Sequence, residues 1–508
     1  MSRSTALTLL VAVAAACIGL IAQNGIPIGV FHDDGQYLIL ARSIAEHGTY
    51  RFDNLPGAPP GLHYPPGFPF VLALVWRIAP DTPAAFKCAN ALLLGGAGIA
   101  IAAFAKHVFG LGERIAAAVA VAIVASAPFV WLNSLLISET LFIAMLCATL
   151  AADASRRDAG DRSSLAIGAL AGATALVRSL ADPLGPLLVC ERLWRRRWRD
   201  AALIAVPWAV LVVPWKLWVL AHRADLSAPL VGAYGDYTHW WRDATAALGP
   251  GFVANTLTLN VSQLPLTLTA FGWNGVPVLH WFAVVATLAI AGVGVWAARR
   301  TAVVTLVFAA FYVAIVMIWP FAPDRFLLVL GPLVGAAFVR GAIEKGTAVL
   351  SGPRAVQLGG AAVALVLAIG FAGTYVDAFR TRPWLDGLGK RGTAGSAAAR
   401  LVATLPRDAR IATDFDELVH LQTARVVVPA RSLIAADYTG AANDSVGGMR
   451  LRAVLDAFHI THVVVADVPT LRAATWLGAH GVPLVPVASD SGGAVVFARS
   501  AAQPNRVP

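Results

Sequence analysis

Charged side chains are scarce in this chain: Asp, Glu, Lys and Arg make up 13% of its 508 residues, against 58% that are hydrophobic, and the mean hydropathy is +0.69. A water-soluble globular protein carries about twice that share of charge, so the composition excludes that class and indicates a polytopic membrane protein. Cysteine is nearly absent as well. Cys17, Cys88, Cys147 and Cys190 all fall in apolar stretches without paired spacing, which excludes a disulfide framework and a thiolate metal site and reads as small core hydrophobes. There is no glycine-rich phosphate loop, and no internal repeat of the kind that builds solenoids or repeat transporters. The net charge of +10 would suggest nucleic acid in a soluble protein. Here many arginines sit in short runs between apolar segments, where they set topology, so nucleic acid is excluded as a partner.

What the chain does have is long apolar runs. About eleven segments qualify as membrane spans, near 5–23, 84–105, 114–131, 135–152, 164–179, 183–193, 201–221, 277–297, 301–320, 325–342 and 358–375. The first is expected to be a retained helix rather than a cleaved signal. With Ser2 and Arg3 in the cytoplasm, the inside loops carry Lys106 and Arg114, "SRRDAGDR", "RLWRRRWRD", "WAARR", and Arg340, Lys345 and Arg354. The outside loops are poor in Lys and Arg, as the positive-inside rule requires. Only an odd number of spans keeps that alternation and leaves the C-terminus outside.

Three stretches then lie on the non-cytoplasmic face: a first outer loop at 24–83, a second at 222–276, and the tail at 376–508. The first contains "DGQYLILARSIAEHG", where Tyr37, Leu38, Leu40, Ala41, Ile44 and Ala45 form a helical apolar stripe ended by Gly48. "FPFVLALVWRIAP" is too short to span and is expected to form a second, half-buried helix. The tail is less hydrophobic, and "ARIATD", "ARVVVPA", "THVVVADV" and "AVVFARS" read as strands alternating with the helical "LRAVLDAF" and "LRAATWLGAH". The expected architecture is thus a transmembrane helical module at 1–375 and a soluble extracytoplasmic α/β domain at 376–508. Nothing in the tail's sequence suggests a metal-ligand cluster, which favours a structural or acceptor-docking role for it.

Several residues combine reactive chemistry with an outer-edge position. Asp33 and Asp34 either cap the helix that follows them or act as a pair. In the second reading one carboxylate, its pKa raised by partial desolvation and by its neighbour, is a general base, while the other positions a hydroxyl or an optional divalent cation. Glu139, in "NSLLISETLF", is a carboxylate among Ile, Leu and Phe that is costly without a partner. It reads as a site residue, unless Ser138 and Thr140 merely cap a helix there. Arg178, in "TALVRSLADPLG", is open between snorkelling, a pair with Asp182, and phosphate binding. Arg325, in "WPFAPDRFLLVLGP", can hold a phosphate by two parallel hydrogen bonds or pair with Asp324. His63 and Tyr64, stiffened by Pro65 and Pro66, can bond a phosphate or a sugar hydroxyl. Tyr37 belongs with the candidates for acceptor or sugar contact, as do Tyr237, His239 and Trp240 of "YGDYTHWW", which reads as an interfacial belt or a sugar-stacking wall. A metal, if one binds, falls to Asp34 and Glu139.

Together "DDGQYLILARSIAEHGTY", "YPPGFPFVLAL", "SETLF", "ALVRSLADPLGPLL", "PDRFLLVLGPL" and the tail pieces "LPRDARIATDFDELVHLQTARVVVPA" and "ITHVVVAD" resemble, in consistent order, the GT-C membrane glycosyltransferases, in particular the protein O-mannosyltransferase and aminoarabinose transferase relatives. The resemblance implies a GT-C fold in a bacterial cytoplasmic (inner) membrane, with active site and tail on the periplasmic side. It implies a polyprenyl-phosphate-linked sugar as donor and a glycan, lipid or protein hydroxyl as acceptor. It further implies that Asp33 deprotonates the acceptor for an inverting attack, with no cofactor required. Relatives commonly carry Asp-Glu where this chain has Asp33-Asp34. Several place a Lys before the proline pair as a phosphate contact, where this chain has Tyr64, so the contact falls to His63 or Arg325. The alternatives are a flippase or transporter of a lipid-linked sugar, and a glycan ligase. The charges at the outer edge favour the enzyme, since transport sites tend to lie near the bilayer midplane.

Overall fold

The computed structural model describes residues 2–156, 161–269, 277–431, 437–438 and 443–500, so the end of the second outer loop, 270–276, lies outside the described residues. The chain divides into two compact units, each drawn from separate stretches of sequence. One comprises Met1–Asn24, Ala84–Lys216 and Thr256–Trp384; the other comprises Gly25–Pro83, Leu217–Asn255 and Leu385–Pro508.

Among its described residues the first unit is built of helices and the turns that join them, with no strand. Among those of the whole chain, five helices are long and apolar enough to cross a membrane: Arg3–Ile21, Pro83–Phe109, Trp198–Asp225, Trp281–Ala298 and Asp324–Gly346. A sixth forms if Glu113–Ala125 and Ala127–Ser134, bent by 61°, count as one span. The bend falls at Ser126, whose hydroxyl donates to the Ile123 carbonyl, and the next helix starts with Pro128 in its first turn. The expected spans near 164–179 and 183–193 form helices of 17 and 11 residues, Asp161–Val177 and Leu184–Trp194. At about 1.5 Å per residue both fall short of a 30 Å hydrocarbon core. The architecture is therefore polytopic and helical as expected, while eleven spans are more than helix length alone supports.

Lipid tails are as apolar as leucine, so helices in a membrane associate through close packing of small residues. Gly294 and Gly341 provide it here: a Cβ on Gly294 would overlap the Ala337 carbonyl, and one on Gly341 would overlap the Ile290 carbonyl. Helices Pro277–Ala298 and Gly331–Leu350 thus touch backbone to backbone. The arginine-rich "RLWRRRWRD" does more than set topology. Arg192 is buried and donates to Asp153 at 2.6 Å and to Glu191. Of the four cysteines only Cys147 is buried, while Cys17, Cys88 and Cys190 are exposed. This corrects the expectation that all four pack as core hydrophobes: an apolar helix that faces lipid exposes one side.

The second unit is built on a five-stranded sheet of order β2-β1-β3-β5-β4, with β1 (Ile411–Thr413), β2 (Val427–Pro429), β3 (His462–Val465), β4 (Leu484–Ser489) and β5 (Val495–Arg499). β2, β1 and β3 are parallel, and β3, β5 and β4 antiparallel. Helices Asp444–Ala457 and Val468–Ala479 begin at Asn443 and Asp467, each accepting a first-turn amide. β4 escaped the sequence reading because "LVPVAS" contains Pro486, tolerated at an edge strand beside the irregularity at Pro486/Ala488. Helix Asp33–His47 ends as expected on left-handed Gly48 and packs on Gly67–Ile78, the expected second helix. Its first half is more enclosed than a single stripe, since Asp34 through Ala41 are all buried.

Enlarging Gly294 tests the backbone contact. Gly294→Leu is expected to destabilise the detergent-solubilised protein by about 1–3 kcal/mol or more, read as a lower melting temperature. An unchanged melting curve would contradict the packing described.

Candidate active site

Each unit holds one cluster of the residues singled out above. In the second unit, the chain turns sharply at His32 before helix Asp33–His47, and the two aspartates part company. Asp34 is buried, and its Oδ1 accepts the backbone amides of Phe31 at 3.1 Å and Gly35 at 2.9 Å. Burial pushes its carboxyl up to about 7, against the opposite pull of the Gly29, Phe31 and Gly35 amides. Asp33 stays half-buried, and its Oδ1 accepts the Tyr64 hydroxyl at 2.7 Å. Asp34 thus fixes the loop, while Asp33 keeps access to solvent.

Tyr64 is held in turn. Its ring lies 4.3 Å from that of Tyr37, which meets Phe68 edge-on at 5.0 Å, and its carbonyl accepts the Tyr50 hydroxyl at 2.8 Å. Burial, then Asp33, raises the Tyr64 hydroxyl well above its ordinary range, so it remains a donor at neutral pH. His63 Nδ1 lies 2.7 Å from the Gly235 carbonyl, and burial lowers the ring to about 4. The ring is neutral and donates through Nδ1, with Nε2 as an acceptor. Tyr237 packs on His63 at 4.4 Å, at the start of helix Tyr237–Leu248, whose first amides are capped by Asp236. Trp240 is buried, whereas His239 sits on the outer side of that helix, 3.5 Å from Asp243. Asp33, Tyr37, His63, Tyr64 and Tyr237 therefore form one connected group, from which His239 is apart.

In the first unit, Glu139 is fully buried and lies between two guanidiniums: Arg178 Nη1 is 2.6 Å and Arg325 Nε 2.7 Å from its Oε1. Arg178 also donates to Ser138 Oγ at 3.1 Å. The Phe326 ring lies 5.6 Å from the Arg178 guanidinium carbon and 5.2 Å from that of Arg325, and its carbonyl accepts the Tyr312 hydroxyl at 2.8 Å. Asp182 pairs with Lys216 at 2.6 Å, and Asp324 accepts the backbone amide of Arg325. One carboxylate shared by two guanidiniums leaves the trio with one positive charge in excess, which suits an anionic ligand.

The two acids expected to hold a metal do not suit one, since Asp34 is engaged by backbone amides and Glu139 by guanidiniums. Among the described residues, the group whose ligand atoms lie close enough to hold a metal ion, all within 4.8 Å, is His32, Asp416 and Glu417. Sequence reasoning missed this cluster. Its members lie far apart in the chain, and "TDFDELVH" carries no ligand spacing of its own. Buried Tyr234 joins it, donating to Asp416 and lying 3.1 Å from Glu417, while Asn54 donates to the Tyr234 oxygen at 2.8 Å.

No protein-family model matches this chain, and no curated protein does. Solved structures do match. ArnT from Cupriavidus metallidurans in the apo state aligns with a TM-score of 0.59 and 16% identity over 98% of both chains, and the same protein bound to undecaprenyl phosphate aligns with 0.58. The Archaeoglobus fulgidus oligosaccharyltransferase in complex with Zn and sulfate aligns with 0.56 and 13% identity, over 96% of this chain and 73% of its own. The same organism's AglB, in complex with an inhibitory peptide and a dolichol-phosphate, gives 0.52 and 12%, over 97% and 74%. These neighbours are GT-C glycosyltransferases, and the likeness establishes that this chain has their fold.

The shared carboxylate is testable without a substrate. Glu139→Gln leaves two guanidiniums facing an uncharged amide and is expected to destabilise the protein by about 3–5 kcal/mol, the cost of orphaning a buried charge. Thermal unfolding in detergent reads this, and a wild-type melting temperature would contradict the pairing.

Proposed function

We propose that this protein is an inverting glycosyltransferase that moves a sugar from a polyprenyl-phosphate donor to an acceptor hydroxyl. In this reading it lies in a bacterial inner membrane, spans it about eleven times, and works at the periplasmic face on a glycan, lipid or protein. The observation that carries the reading is the contrast between the two aspartates: Asp34 is locked on backbone amides while half-buried Asp33 is aimed by the Tyr64 hydroxyl. The fold supports it, as do the undecaprenyl phosphate bound by ArnT and the dolichol-phosphate bound by AglB.

In the proposed reaction the acceptor O–H gives its proton to Asp33. The acceptor oxygen attacks the anomeric carbon on the face opposite the phosphate, a new C–O bond forms, and the bond from that carbon to the phosphate oxygen breaks with its electron pair. The leaving group is polyprenyl phosphate. Arg178 and Arg325 are proposed as donor-phosphate contacts on their own chemistry, because preorganised cationic donors stabilise developing negative charge. Neutral His63 offers Nε2 to a hydroxyl, and the rings of Tyr37 and Tyr237 offer faces to a sugar. His239, lying apart, drops out as a sugar contact. Asp34 acts by shaping the loop.

The test is transfer of radiolabelled sugar from a panel of polyprenyl-phosphate donors by purified protein. Asp33→Asn keeps the size of the side chain and removes the base, and is expected to lower transfer by about 10²–10⁴ with the melting temperature unchanged. Transfer at the wild-type rate would refute the assignment. Movement of the lipid-linked sugar across vesicles without transfer would indicate a flippase instead.

A further inference from the structure

The residue before the proposed base has an unusual backbone. His32 has φ 69° and ψ −66°, and the Asp33 amide donates to the Phe31 carbonyl at 2.9 Å. This is the positive-φ γ-turn, the rarer and strained form. Histidine is not a residue that relaxes there, and such a conformation costs about 1–3 kcal/mol and persists only where its surroundings enforce it. Something must hold the turn.

The holder is the sheet-bearing tail. His32 Nδ1 lies 2.6 Å from Glu417 Oε1. Glu417 is buried, at the start of helix Asp416–Thr423, which follows β1. Gln36, one turn into the aspartate helix and fully buried, donates to the same Glu417 oxygen at 3.0 Å and meets the other ring nitrogen of His32 at 3.0 Å. Glycines let the elements come this close. A Cβ on Gly29 would lie 2.7 Å from the Leu418 backbone, at a φ of +98°, and one on Gly35 would overlap the Glu417 side chain. The turn is thus gripped on both sides by consecutive residues of one tail helix.

We propose that Glu417 is a positioning residue for the reaction: the tail clamps the His32 turn and thereby sets the direction in which the Asp33 carboxylate is presented. This rests on the glycosyltransferase reading for its catalytic consequence, but the clamp itself does not. It gives the tail a role in assembling the catalytic loop, beyond docking an acceptor. Glu417 touches neither donor nor acceptor in this scheme, and acts through His32.

Two variants test it. Glu417→Gln keeps the volume and removes the charge, whereas His32→Gly keeps the turn, which glycine adopts without strain, and removes the ring. Hydrogen exchange at the amides of residues 31–36 is expected to quicken in Glu417→Gln while the sheet amides stay protected. In the transfer assay kcat is expected to fall by up to about 10²-fold, the effect of a displacement of about 1 Å, with KM for the donor unchanged. Adding Glu417→Gln to His32→Gly should cost little more than His32→Gly alone, as two residues of one clamp require. Unchanged exchange and unchanged kcat would overturn the proposal, as would fully additive losses. If the wild-type protein transfers no sugar, the functional reading fails, and the exchange experiment still decides the clamp.

Discussion

A charge taken out of water must be given a partner, and the candidate sites of this protein are arranged around that requirement. Four acids near them are met in four ways: Asp34 by backbone amides, Asp33 by a tyrosine hydroxyl, Glu139 by two guanidiniums and Glu417 by an imidazole. The kind of partner sorts them by chemistry. An acid held by backbone amides is a structural element, one shared by two arginines leaves a cationic surplus, and one that accepts a tyrosine hydroxyl at a half-buried position is the one proposed to meet a substrate.

Where local pattern decides structure, the sequence was legible. The apolar runs, the helix after "DD", its glycine end, and four of the five strands follow from periodicity and turn chemistry, and the order of motifs pointed to a fold that solved structures then matched. Partner choice was not legible. The neighbours in sequence, Asp182 for Arg178 and Asp324 for Arg325, were the natural ion-pair alternatives, yet both arginines turn to Glu139. The grip of Glu417 on the aspartate helix joins positions 381 residues apart at Gln36, a contact that no window of sequence contains. The number of spans was not legible for a related reason: hydropathy registers burial in protein and burial in lipid alike, so a short apolar helix such as Leu184–Trp194 scores like a span although its length alone does not make it one.

The strained turn at His32 joins these threads. It lies between the acid that shapes the loop and the helix of the tail that grips it, and it would relax if either were lost. A catalytic loop held by a folded domain costs less ordering when a substrate arrives than a mobile one would, and that preorganisation is where a carboxylate base gains its efficiency.

The central claim is that sugar passes from a polyprenyl phosphate to a hydroxyl by direct attack assisted by Asp33. It is tested most directly by the anomeric configuration of the product, read by NMR after wild-type protein acts on a donor of known configuration, with released polyprenyl phosphate measured alongside. The account predicts the opposite configuration, with one polyprenyl phosphate released for each sugar transferred. Retention of configuration, or product formed without release of the lipid phosphate, would contradict it.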